Sequence, residues 1–241
     1  MAVSSQPAAI ITGAGSGIGR AIAARLAEAG WRVALVGRTE SKLLETASII
    51  RARQSRDSDT LVIVADVGDP AQPGRIIDHA LRAFSRVDGL VNNAAVGPLK
   101  PLAETTESDL RLTFETDLFG PVRLVARLWR VFIEQGGGCV VNISSMATVS
   151  PFPGLSVYAM AKSGLESLTR SIHNEGHERG ITAYSIAPGA VETPLLRSIF
   201  SESQIPRDRT LDPDAVASVA VECLLGRRPE DRGRVIILPS P

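Results

Sequence analysis

Apolar positions follow two alternating rhythms along this chain. Short runs rich in Val, Ile and Leu recur at 8–12, 32–36, 61–65, 89–92, 139–143, 182–186 and 234–238. Each is continuously apolar rather than alternating, the pattern of a parallel strand covered on both faces. Between them the apolar positions return every three or four residues. Ile18, Ile22 and Leu26 share one helix face, and Gly30 stops that helix. Further helical patterns run over 41–53, 73–84, 108–135 and 156–179, and Cys223 reads as the core of another. Seven strands alternating with helices predict one α/β domain over 1–241, a doubly wound parallel sheet with helices on both faces. The stretch 195–211 is expected to be a mobile lid, because polar residues and Pro206 interrupt its helical pattern.

Composition then removes several classes of function. The 241 residues set 26 Lys+Arg against 26 Asp+Glu, so no basic excess marks a nucleic-acid partner. No apolar run approaches the roughly 20 residues that span a bilayer. The start, Met1 to Pro7, lacks the charged and apolar regions of a secretory signal, so a cytoplasmic location is expected. The two cysteines, Cys139 and Cys223, read as buried free thiols. His79, His173 and His177 lack metal-ligand spacing, and no metal is expected. Trp129 and Phe132 are read as packing or subunit-contact residues.

Candidate chemistry begins at the first strand-to-helix junction. Thr12-Gly13-Ala14-Gly15-Ser16-Gly17-Ile18-Gly19 fails the strict G-x-G-x-x-G spacing and fits T-G-x-x-x-G-x-G. Glycines there let the backbone turn sharply and approach a pyrophosphate, while the following helix offers free N–H groups and a positive dipole end. Tyr158 and Lys162 are four apart on one helix face, so their side chains can converge. An ammonium about 4–5 Å from the phenol, at an effective dielectric near 20, is worth about 3–4 kcal/mol, or some 2–3 pKa units. That would bring a phenol of ordinary pKa about 10 towards its operating pH as a general acid/base.

The glycine turn, Asn92-Asn93-Ala94-Ala95 and Tyr158-Ala159-Met160-Ala161-Lys162, in this order, resemble the short-chain dehydrogenase/reductase family from about Ala8 to Pro194. The resemblance implies a Rossmann-type fold and hydride transfer between a nicotinamide cofactor and a carbonyl or secondary alcohol. It assigns Tyr158 as general acid/base, Lys162 as its partner, and Ser145, 13 positions before Tyr158, as the donor to the substrate oxygen. Asp117 stands where the family usually has an asparagine of the proton relay. Asp66 and Val67 would meet the adenine, Asn93 and Ala94 the adenosine ribose, and Pro188, Gly189, Val191 and Thr193 the nicotinamide end. The family also implies a homodimer or homotetramer.

Cofactor choice rests on the end of the second strand, Val36-Gly37-Arg38. Gly37 offers no carboxylate to the ribose hydroxyls, and Arg38 can fork onto a 2′-phosphate, with Ser16 assisting. NADP is therefore expected over NAD, although NAD stays possible. For the substrate, Val96, Pro98, Met146, Phe152, Leu195, Leu196, Ile199 and Phe200 are candidates for an apolar wall. Arg197, Arg207 and Arg209 are candidates for holding a carboxylate or phosphate at its mouth. The competing reading is a catalytically idle NADP-binding redox sensor or scaffold. It predicts a broken Ser-Tyr-Lys set, and all three residues are present.

Overall fold

The seven apolar runs align side by side in the computed structural model, which describes residues 6–53 and 60–241. They are β1 (Ala8–Thr12), β2 (Arg32–Gly37), β3 (Thr60–Val64), β4 (Gly89–Asn92), β5 (Gly138–Ile143), β6 (Ile181–Pro188) and β7 (Val235–Leu238). All pair in parallel, in the order β3-β2-β1-β4-β5-β6-β7. The helices are α1 (Gly17–Glu28), α2 (Glu40–Arg53), α3 (Gln72–Phe84), α4 (Glu107–Phe114), α5 (Gly120–Gln135), α6 (Ser156–Gly176), α7 (Pro194–Ile199) and α8 (Pro213–Leu224).

Side chains alternate along a strand, so each strand feeds two cores. Ile11, Leu35 and Val141 pack with Ile22, Leu26, Leu43 and Val216 from α1, α2 and α8. Ile10, Val36 and Val140 pack on the other face with Ile76, Leu124, Leu128, Phe132 and Ile172 from α3, α5 and α6. Phe132 is fully buried there, and partly buried Trp129 packs against the same cluster, so both serve the core. Cys139 and Cys223 are free thiols buried in the first core; the Cys139 thiol faces the Cys223 carbonyl at 3.7 Å.

The pattern over 108–135 resolves into three pieces rather than one helix. Between α4 and α5 the chain widens into a π turn, Glu115–Phe119, in which the Gly120 N–H bonds the Glu115 carbonyl five residues back. Pro121 is the physical cause: it has no N–H for the Asp117 carbonyl and its ring crowds that position. Gly120 is needed for a second reason, since a Cβ there would lie 2.5 Å from the Val67 carbonyl oxygen.

Within 195–211 the structure places the rest of α7, a loop and a short 3₁₀ turn, Arg207–Arg209. A parallel bridge between Val191 and Leu211 closes this segment at its base. The strand order reverses between β1 and β4, which opens a crevice above their carboxyl ends.

Candidate active site

Close backbone contact across that crevice explains the glycine turn. The Thr12 hydroxyl donates to the Val91 carbonyl at 3.1 Å and accepts the Asn93 and Ala94 N–H groups at 2.9 and 3.1 Å. The Asn93 amide donates back to the Thr12 and Gly13 carbonyls at 2.9 and 3.2 Å. A Cβ on Gly13 would lie 2.6 Å from that amide nitrogen, and one on Gly17 2.9 Å from the Thr193 methyl. Both glycines also hold positive φ, +66° and +50°. Gly19 stands behind the turn, where a Cβ would lie 2.4 Å from the Gly13 carbonyl oxygen; it shapes the turn rather than lining the crevice.

Helix α1 opens with Ser16 as an extended N-cap whose side chain caps nothing, and its first turn carries no acidic residue. Its N–H groups and dipole are therefore available to an anion. The crevice, about 700 Å³, is lined by Gly13, Gly15, Ser16, Gly17, Ile18, Arg38, Asp66, Val67, Asn93 and Ala94 on one side. Ser145, Tyr158, Lys162, Pro188, Gly189, Val191 and Thr193 line it on the other. These residues fit a dinucleotide: a Cβ-free pyrophosphate cradle, an uncapped helix end and a long cleft across the strand-order reversal.

At the end of β2, Arg38 is exposed, with its guanidinium 3.9 Å from the Asp66 carboxylate. Thr39 and Lys42 line the same end of the cleft. Lys42 escaped the sequence reading, although its four-residue spacing from Arg38 at a helix start was a usable signal.

Lys162 is buried and held from two directions. Its ammonium donates to the Ile143 carbonyl at 3.0 Å and pairs with the Asp117 carboxylate at 3.4 Å. Asp117 is fully buried, sits outside the cleft lining, and accepts the Val96 N–H at 2.9 Å through its other oxygen. Burial raises its carboxyl from 3.8 to about 6, against the opposing pull of Lys162 and the Val96 amide. The π turn, not a straight helix, presents this carboxylate to Lys162.

The phenol departs from expectation. Lys162 Nζ lies 5.4 Å from the Tyr158 ring centroid, and Tyr158 is raised above its ordinary value, not lowered. Burial is the largest cause; Lys162 and the neighbouring Ser145 hydroxyl pull it down, while Asp117 pushes it up. Desolvation and the buried Asp117 carboxylate together outweigh the pull of the ammonium. The free protein therefore holds the Tyr158 proton more tightly than an ordinary phenol does. Ser145 is set by a local cap: its hydroxyl accepts the Ala147 N–H at 3.1 Å, which leaves its own proton to donate.

Met146, Phe152, Leu195, Leu196, Ile199 and Phe200 line the cleft beside these groups. The Phe152 and Phe200 rings meet at 5.4 Å, joining the loop before α6 to the end of α7. Val96 and Pro98 do not line it, because the chain there turns inward to place the Val96 amide on Asp117. Arg197 and Arg207 are also reassigned. Arg197 bonds Glu192 and the Ile205 carbonyl, and Arg207 bonds Glu202, so both tie residues 192–207 together, and neither lines the cleft. Arg209 does line the cleft. Among the described residues no three His, Cys, Asp or Glu side chains are grouped to hold a metal, and no helix is long and apolar enough to cross a membrane.

A family model described as short chain dehydrogenase matches residues 7–204. Levodione reductase of Leifsonia aquatica is 34% identical over 214 residues, 88% of this chain and 77% of that protein. The 3-ketoacyl-(acyl-carrier-protein) reductase of Brucella melitensis, solved with NADH, has a TM-score of 0.89 at 27% identity, covering 98% of each chain. A variant of actinorhodin polyketide ketoreductase, solved with NADPH, has a TM-score of 0.90 at 26% identity, covering 100% of this chain and 98% of that one.

The raised Asp117 carboxyl predicts a pH signature. The folded chain holds this proton more tightly than the unfolded chain, so its contribution to stability is lost as pH rises from 3.8 to about 6. Asp117→Asn abolishes that loss. Urea unfolding at about pH 4 and about pH 7 should therefore show the variant gaining on wild type by on the order of 2–3 kcal/mol across the interval. Parallel pH–stability curves for the two proteins would contradict it.

Proposed function

Because the chain belongs to the short-chain dehydrogenase family and is an oxidoreductase of carbonyl and alcohol groups, we propose that Tyr158 is its proton donor and NADP its preferred cofactor. A bound nicotinamide dinucleotide supplies or takes up the hydride and, when oxidised, adds a positive ring to the site. The glycine turn and the amino end of α1 hold its pyrophosphate, with Asp66, Val67, Asn93 and Ala94 on the adenosine side. Pro188, Gly189, Val191 and Thr193 hold the nicotinamide side.

The observation that carries the reading is the convergence of Ser145, Tyr158 and Lys162 on one end of this cleft. Ser145 donates a hydrogen bond to the substrate oxygen and orients it. In reduction, negative charge grows on that oxygen, and Tyr158 transfers its phenolic proton there. Lys162, fixed by Ile143 and Asp117, stabilises the tyrosinate left behind. In oxidation the proton returns to Tyr158. With its phenol raised above the ordinary value by burial, Tyr158 carries the proton that it gives in reduction. This convergence also supports catalysis over an idle redox sensor.

The apolar wall formed by Met146, Leu195, Ile199 and the Phe152–Phe200 pair suits a ketone with hydrophobic flanks. Free, buried Cys139 and Cys223 suit a reducing compartment such as the cytoplasm. Exposed Leu112, Phe119 and Val122, along α4, the π turn and α5, suit a homodimer or homotetramer.

NADP preference rests on the absent carboxylate at Gly37 and on Arg38, with Lys42 beside it. A charge-assisted bond to the 2′-phosphate is worth about 1.5–3 kcal/mol. Arg38→Ala is therefore expected to weaken NADPH binding about 10- to 100-fold and to leave NADH binding within about threefold, read by titration. Equal losses for both cofactors would refute the phosphate assignment. Tyr158→Phe should lower ketone reduction by about 10²–10⁴-fold while NADPH still binds. A Phe variant that retains turnover would remove the mechanism.

A further inference from the structure

We propose that Glu166 is a positioning residue that fixes Ser145 against Tyr158, an inference that rests on the catalytic reading above. Glu166 follows Lys162 by four residues and Tyr158 by eight on α6, so it continues the helix face that carries both. Its partners come from the other half of the site. One carboxylate oxygen, Oε1, accepts the Ser144 hydroxyl at 2.7 Å and the Thr148 hydroxyl at 2.9 Å. Ser144 is the residue before Ser145, and Thr148 closes the 3₁₀ turn that Ser145 caps. The carboxylate therefore grips the chain on both sides of Ser145.

The rest of the local bonding explains why this grip is needed. Ser144 is anchored by its backbone, whose N–H donates to the Ile186 carbonyl at 2.7 Å, at the point where β5 ends. Beyond it the chain leaves the sheet, and its backbone N–H groups make short-range bonds: Thr148 N–H to the Ser145 carbonyl at 3.1 Å and Ala147 N–H to the Ser145 hydroxyl at 3.1 Å. Those bonds shape the turn without fixing it to α6. Beside the direct Ser145–Tyr158 contact, Glu166 supplies a cross-link from α6 to both sides of Ser145, so an anionic acceptor helps set the distance between the Ser145 hydroxyl and the Tyr158 phenol. Charge-assisted bonds are short and strong, which suits a fixed geometry. A displacement of about 1 Å at a reacting group can cost about 10²-fold in rate.

The test is steady-state reduction of a ketone that the wild-type enzyme turns over, with Glu166→Ala, Glu166→Gln and Thr148→Val. Glu166→Ala should lower kcat about 10- to 100-fold while the NADPH dissociation constant stays within about twofold. Glu166→Gln keeps an Oε1 acceptor and should retain at least about a third of kcat. Thr148→Val removes one of the two donors and should fall between them. Kinetics of Glu166→Ala within about twofold of wild type would overturn the proposal, whatever happens to its melting temperature. So would a Gln variant as slow as the Ala variant with NADPH binding intact. Should Glu166→Ala fail to fold, full activity in Thr148→Val would overturn the proposal, and a several-fold loss of kcat there with NADPH binding intact, beside a Glu166→Gln variant that retains at least about a third of kcat, would support it. Tyr158→Phe runs alongside: if it stays active the catalytic reading fails, whereas if it is inactive and Glu166→Ala is not, only the role of Glu166 fails.

Discussion

A buried ammonium is the constraint on which this site depends. Lys162 is 1% exposed, and a charge removed that far from water must be paired and hydrogen-bonded. The fold meets that demand with the Ile143 carbonyl at the end of β5 and with Asp117 from the π turn. Each partner is available for a specific structural reason. The carbonyl is at the carboxyl edge of β5, where the chain turns away at Ser144. The carboxylate is turned inward because Pro121 breaks the helical register. Two elements far apart in sequence thus converge on one nitrogen, and Tyr158 is fixed above it on the same helix.

The opposing charges set what the phenol can do. An ammonium alone would draw the proton off Tyr158, but burial and the Asp117 carboxylate oppose it, and burial is the larger effect. The phenol is left holding its proton more tightly than usual, which suits the proton-donor role proposed for it. The overall neutrality of the chain fits the same pattern. On the proposed reading, cofactor phosphates would need only the uncapped end of α1 and the Arg38–Lys42 end of the cleft, which requires no basic excess over the surface.

Much of this was readable before any coordinates. Strands covered on both faces leave continuous apolar runs, so all seven were visible, with ends off by a residue or two. The glycine turn and the Tyr158–Lys162 pair are local in sequence, and local spacing carries them. What stayed hidden depends on distant partners or on sums of opposing terms. Glu166 meets residues 22 and 18 positions away, which no helical periodicity announces. Arg197 was free to face a ligand until Glu192 and Ile205 were seen beside it. The break in 108–135 was signalled by Pro121 and passed over because the apolar rhythm continued through it. The direction of the Tyr158 shift needed burial, which spacing does not report.

The account can be tested most directly on the phenol itself. The chain has two tyrosines, Tyr158 and Tyr184, so in a Tyr184→Phe background near-ultraviolet tyrosinate absorbance reports Tyr158 alone. In the cofactor-free protein, tyrosinate should form with a midpoint above about pH 10 while the chain stays folded. A titration midpoint between about pH 6 and about pH 9 would contradict the account, since Lys162 would then outweigh burial and Asp117 together.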